Sequence, residues 1–128
     1  MKTYQTVTFA MVAGFGLGAI TIEALRAQGK APVYYISEIE ITNADAYGKE
    51  YAPKAQAQIK SAGGKFLAAG GKVTSIEGEP QKTRVVVQVW DSLEKIQAWR
   101  GSADYKELRQ VGDKYAKFRA YAVEGLPQ

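Results

Sequence analysis

The chain has 128 residues, 46% of them apolar and 23% charged, which suits one small globular domain and is too short for two. Its net charge of +4 is spread among acidic residues rather than gathered into a basic stripe, which argues against a nucleic-acid partner. With no cysteine and no histidine, disulfides, Cys/His zinc sites, proximal-His haem and nucleophile systems built on Cys or His are excluded, and acid–base chemistry falls to Glu, Asp, Lys or Tyr.

Residues 1–27 begin with Lys2, continue through an uncharged apolar stretch from Thr6 to Ile22, and leave through Glu23 and the small residues Ala24 and Ala27. That order is that of a secretory signal peptide. The stretch also reads as a retained N-terminal membrane anchor. Leu25 stands near the cut after Ala27, where a small residue belongs, and Gly14 and Gly18 have the spacing that packs membrane helices. The expectation is an exported, periplasmic protein, touching a membrane only if this segment is retained.

Residues 28–32 are a polar linker with Gly29 and Pro32. Val33 to Ile41 is β-branched and aromatic and alternates, so it predicts a strand. Asn43 is placed to cap a helix whose apolar positions recur at Tyr47, Tyr51, Ala55, Ile59 and Ala62, with Pro53 kinking or splitting it and Gly63-Gly64 ending it. Lys65 to Ala69 predicts a second strand, bulged at Gly70-Gly71 and resuming from Val73 to Glu77. Thr83 to Trp90 is the clearest strand in the chain. Asp91 and Glu94 have capping-box spacing before a helix with Leu93, Ile96 and Trp99 on one face. Gly101-Ser102 breaks that helix. A further one follows from Asp104 to about Ala116, and Phe118 to Val123 predicts a last strand before a tail at 126–128.

The order β-α-β-β-α-β implies an α+β, ferredoxin-like fold over residues 33–125, a four-stranded antiparallel sheet with its helices on one face. Period-two alternation places Tyr35, Ser37, Ile39 and Ile41 under the helices, and likewise the apolar set Val85, Val87 and Val89. The other face then mixes Tyr34, Ile36, Glu38 and Glu40 with Arg84, Val86, Gln88 and Trp90. Such an apolar-rich open face is an interface, and two sheets facing each other across a two-fold axis are its simplest partner, with polar side chains lining a central cavity.

Several segments together carry a family likeness: YYISEIEITNADAYGKEY (34–51), GGKFLAAGG (63–71), Ile76-Glu77-Gly78, RVVVQVWDS (84–92), the Trp99, Ser102, Tyr105 spacing, and Val123-Glu124-Gly125. In this ordered set the chain resembles the family called domain of unknown function (DUF) 1330, in the dimeric α/β-barrel superfamily. The resemblance implies the fold and a face-to-face homodimer, and no reaction. The chain departs from the family at Ala69, where Arg is common, and at Asp91, where Pro is usual.

The candidate ligand-binding residues are Tyr34, Glu38, Arg84, Gln88, Trp90, Trp99, Ser102 and Tyr105. Glu38 and Arg84 form an ion pair on one face if their strands are neighbours. Such a pair orients a ligand or simply holds the sheet, and the nearby Arg lowers the carboxylate's basicity, away from a general base. Trp90, Trp99 and Tyr105 also read as core, and Ser102 as the cap of the following helix. No metal and no cofactor is implied. Three functions remain open: an exported homodimer binding a small molecule, a cofactor-independent oxygenase or isomerase using the cavity, and a membrane-tethered interaction module without catalysis.

Overall fold

A computed structural model describes residues 31–127, so the N-terminal segment read as a signal peptide or anchor lies outside the described residues. The elements are β1 (Val33–Ile41), α1 (Ala44–Ala46), a π-helical turn (Tyr47–Tyr51), α2 (Ala52–Ala62), β2 (Lys65–Ala69), β3 (Arg84–Trp90), α3 (Leu93–Arg100), α4 (Ala103–Tyr115) and β4 (Ala116–Glu124). The strands form one antiparallel sheet in the order β2-β3-β1-β4, the ferredoxin-like arrangement.

Pro53 explains the break in the first helix. It has no N–H, and in a continuous α-helix its ring would press on the carbonyl four residues back. The chain widens by one turn instead: the Ala52 N–H reaches back to the Tyr47 carbonyl, and α2 restarts with Pro53 in its first turn. Asn43 caps the start, its side chain accepting from the Ala46 N–H at 3.1 Å. Ser92, not Asp91, caps α3, accepting from the Lys95 N–H, while Asp91 pairs with Lys95 at 2.7 Å. A serine hydroxyl one residue closer to the helix takes the role assigned to the aspartate.

The register corrects the expected faces of β3. Residues directly opposite in antiparallel strands share a face. Tyr35 lies opposite Gln88, Ser37 opposite Val86, and Ile39 opposite Arg84. Since Tyr35, Ser37 and Ile39 face the helices, Arg84, Val86, Gln88 and Trp90 do too, with Arg84 half-buried and the other three buried, and Val85, Val87 and Val89 lie on the other face, where Val89 alone of the three is already covered within the chain. The expected second half of β2 is also absent: residues 71–83 form no strand up to β3, and the bulge falls at Leu67, between the pairs Phe66–Gln88 and Ala68–Val87. Consecutive glycines and the exposed, polar run that follows give the chain no buried face to hold a ladder.

Two apolar clusters fill the layer between sheet and helices. One holds Val33, Tyr35, Ile59, Trp90, Ile96, Trp99 and Tyr105. The other holds Ile39, Tyr47, Tyr51, Ala55, Val86, Leu108 and Ala116. Phe66 packs against both.

Candidate functional site

A cavity of about 60 Å³ lies between the sheet and the helices, lined by members of both apolar clusters. The strands supply Tyr35, Ser37, Arg84 and Gln88 from their inner faces. The π-helical turn carries Tyr47 and Tyr51 to the same wall, with ring centroids 5.2 Å apart. Gly112 of α4 makes room for Tyr51, since a methyl group there would come within 2.6 Å of the ring. Arg100 at the end of α3, with Tyr105 and Arg109 on one side of α4, completes the polar lining.

The hydrogen bonds form a one-sided inventory. Arg100 donates to the Tyr35 hydroxyl at 2.7 Å and lies 4.9 Å from the Tyr105 ring centre. Arg109 donates to the Tyr105 hydroxyl at 3.0 Å and to Asp113 at 2.7 Å. The Gln88 side-chain oxygen accepts from the Trp90 indole at 2.8 Å. Arg84 makes no hydrogen bond or ion pair among the described residues, and its Nε is buried without a partner. Its guanidinium rests instead over Gly70, which has a φ of +77° and where a side chain would overlap the charged group.

Burial raises the pKa of Tyr35, opposed by Arg100, and that of Tyr47, opposed by Arg84. It raises Tyr51 furthest, and the neighbouring phenols of Tyr105 and Tyr47 push the same way. Burial alone would lower Arg109, but its bonds to Asp113 and Tyr105 outweigh that and keep it firmly charged. The tyrosines are held in their neutral form when folded and release their protons more readily when unfolded. Their contribution to stability is therefore intact below about pH 10 and falls as pH rises past that point. Denaturant midpoints measured from neutral to strongly alkaline pH should be flat and then decline above about pH 10, and Tyr51→Phe should make that decline shallower. An unchanged alkaline limb in Tyr51→Phe would remove Tyr51 from this account.

Of the residues expected at a site, Arg84, Gln88, Trp99 and Tyr105 line the cavity. Trp90 is 1% exposed and stacks on Trp99 behind it, at 5.5 Å between ring centroids. Tyr34 and Glu38 are on the opposite face of the sheet. Glu38 and Arg84 do not meet: Glu38 is opposite Val85, and it accepts from Arg119 at 2.8 Å and from the Tyr121 hydroxyl at 3.3 Å. Their strands are neighbours, but the two residues differ in face. Ser102 caps α4, accepting from the Tyr105 N–H at 3.1 Å and donating to the Trp99 carbonyl at 2.7 Å. Ser102→Ala should therefore lower stability by about 1 kcal/mol in urea unfolding. Ligand affinity should stay within twofold of the unaltered chain; a larger loss would return Ser102 to the site.

Sequence reasoning missed Tyr35, Ser37, Tyr47, Tyr51, Arg100 and Arg109. One signal was available: a serine and a tyrosine within the inward set of β1 are polar groups that a plain core does not use. The arginines had none, because each comes from a helix end or flank whose rotation only packing decides. Among the described residues no cluster of three or more acidic side chains could hold a metal ion, and no helix is long and apolar enough to cross a membrane.

Comparison with known proteins agrees with this architecture. The structure is similar to that of a protein of unknown function from Rhodopseudomonas palustris, with a TM-score of 0.62 and 17% identity, covering 87% of this chain and 99% of that one. It is also similar to SnoaB, a cofactor-independent oxygenase from Streptomyces nogalater, with a TM-score of 0.56 and 10% identity, covering 77% of this chain and 96% of that one. At such identities the likeness is one of fold. Among curated proteins none matches the sequence. The model of one family, domain of unknown function DUF1330, matches residues 32–126, a span that holds all four strands, the helices above them and every residue of the cavity. The chain therefore belongs to the DUF1330 family.

Proposed function

We propose that this is an exported, homodimeric protein that binds a small molecule in the cavity between its sheet and helices. The observation that carries the binding reading is the lining itself. A layer that served only as core would be filled with aliphatic side chains, whereas here three arginines, Ser37 and Gln88 converge on unfilled space. Export rests on residues 1–27, whose charged start, apolar run and small exit suit a secretory leader, or an anchor if retained.

The homodimer is supported by the open face of the sheet. With the register corrected, that face carries Tyr34, Ile36, Val85, Val87, Tyr121 and Val123, crossed by the Glu38–Arg119 pair. Tyr121 is 44% and Val123 52% exposed, and a continuous apolar strip of this kind is a contact surface rather than a solvated one. A second copy, presenting the same strip, is its partner in this reading.

Native mass spectrometry of the protein purified gently from its source cells tests both parts. A dimer mass carrying an extra small molecule is the expected result. A dimer that stays bare, with no small molecule recovered on denaturation, overturns the binding reading. A monomer overturns the dimer. The mass of the chain itself reports whether residues 1–27 have been removed.

A catalytic use of the cavity draws on one further observation. SnoaB, of similar fold, is a cofactor-independent oxygenase, and the unpaired Arg84 would stabilise an oxyanion developing on a bound substrate. Dioxygen consumption with the co-purified molecule would establish it, and its absence would leave a binding protein.

A further inference from the structure

We infer that the cavity is an anion site that selects small apolar carboxylic acids in their ionised form, with Arg84 as the contact for the carboxylate. The inference rests on the reading of this cavity as the ligand site, and it specifies the class of ligand.

The first support is charge. Three arginines line the cavity and no aspartate or glutamate does. Arg109 has its counter-ion in Asp113, which lies outside the lining. Arg100 spends its hydrogen bond on a neutral phenol and its charge on the ring of Tyr105. Arg84 has neither a hydrogen bond nor an ion pair among the described residues. Two guanidiniums thus share one partly desolvated space without a counter-charge. Such an arrangement is unfavourable when empty and is relieved by a bound anion.

The second support is hydrogen-bond type. The Nε of Arg84 is a buried donor without an acceptor, and the hydroxyls of Tyr47 and Tyr51 make no hydrogen bond among the described residues. The buried carbonyl acceptor of the lining, the Gln88 side-chain oxygen, is already taken by Trp90. What remains unused is the Arg84 donor and hydroxyls that can turn their protons to an acceptor, which a carboxylate matches because it only accepts. A planar guanidinium also offers the paired N–H geometry that a carboxylate takes up with both oxygens.

The third support is the rest of the wall. Ile39, Ile59, Phe66, Val86 and the faces of Tyr51 and Trp99 are apolar, so the body of the molecule must be apolar as well. Gly70 contributes by having no side chain, which leaves the guanidinium of Arg84 room to lie along the backbone.

The test is calorimetric titration of the full chain with acetate and propanoate, whose size suits a cavity of about 60 Å³, each against its neutral amide of nearly the same shape. The acids are expected to bind at least tenfold more tightly than the amides. Arg84→Met should erase that preference while Arg84→Lys retains most of it, with thermal unfolding confirming that both variants fold. If Arg84→Met does not fold, Arg100→Met serves in its place and should weaken the preference. Equal binding of acid and amide overturns the inference and leaves the small-molecule reading standing. Failure of all four probes to bind also overturns it, and the native mass measurement then decides the broader reading: a neutral molecule carried by the purified protein preserves it, and a bare protein ends both.

Discussion

Replacing Trp90 by alanine should cost about 3–5 kcal/mol. Its ring is the most deeply buried large side chain among the described residues, stacked on Trp99 and packed so tightly on Gly64 that a methyl group there would come within 2.6 Å of it. The substitution opens a hole that the sheet and helices cannot close, and it leaves the Gln88 oxygen without its donor. For a domain with a total stability of roughly 5–15 kcal/mol, that is a large share. The melting temperature should fall by roughly 15–30 °C, or the chain should fail to fold. Trp90→Phe keeps one aromatic ring and loses the other with the indole hydrogen bond, so its cost should be smaller, nearer about 1–3 kcal/mol. If Trp90→Ala unfolded at the temperature of the unaltered protein, the assignment of Trp90 to the inner face of β3 would be wrong.

The second large effect is expected on the other side of the sheet. Val87 sits in the middle of the open face, opposite Ile36 on one side and Ala68 on the other. In the dimer a glutamate at this position would bury one unpaired carboxylate per copy, which costs several kcal/mol. Association should weaken on the order of a thousandfold, about 4 kcal/mol. Sedimentation at micromolar concentration should show a dimer for the unaltered chain and a monomer for Val87→Glu, with the circular dichroism spectrum of the fold retained. A dimer that survives Val87→Glu would place the interface elsewhere. Glu38→Gln should act more weakly, since Arg119, 72% exposed, is already well solvated.

Most of the fold was legible in the sequence, because the strands and helices carry strong local signals. Val33–Ile41 and the β3 strand have β-branched runs, Asn43 and Ser102 are good caps, and Pro53 marks the break in the first helix. The inner face of β3 was not legible, for a physical reason. Alternation separates two sets of residues but does not say which set faces in; the usual guide is that the more apolar set is buried. In this chain the inward set contains Arg84 and Gln88 because it lines a cavity, and Val85 and Val87 of the valine set face outward where a partner is expected to cover them. The same inversion moved the site. Arg84, Gln88, Trp99 and Tyr105 line one cavity, although the expected faces had set the first two apart from the helices, and Glu38 and Tyr34 are separated from all four by the thickness of the sheet. Register would have resolved the faces, since Tyr35 must share a face with its cross-strand neighbour. Register depends on the path of residues 71–83, which have no pattern to fix it.

The division of the interior into two clusters, joined through Phe66 and the cavity, has a mechanical consequence. Each cluster holds its own end of the sheet, and the two are joined through Phe66 and the helices and strands that carry members of both. Without a ligand between them, the two ends should differ in stability, and amide exchange should show two groups of protected residues with different opening free energies. A molecule seated in the gap would act as a removable piece of core and bind the two ends into one cooperative unit. The two exchange classes should then merge, so the domain would report the presence of its ligand through its own rigidity.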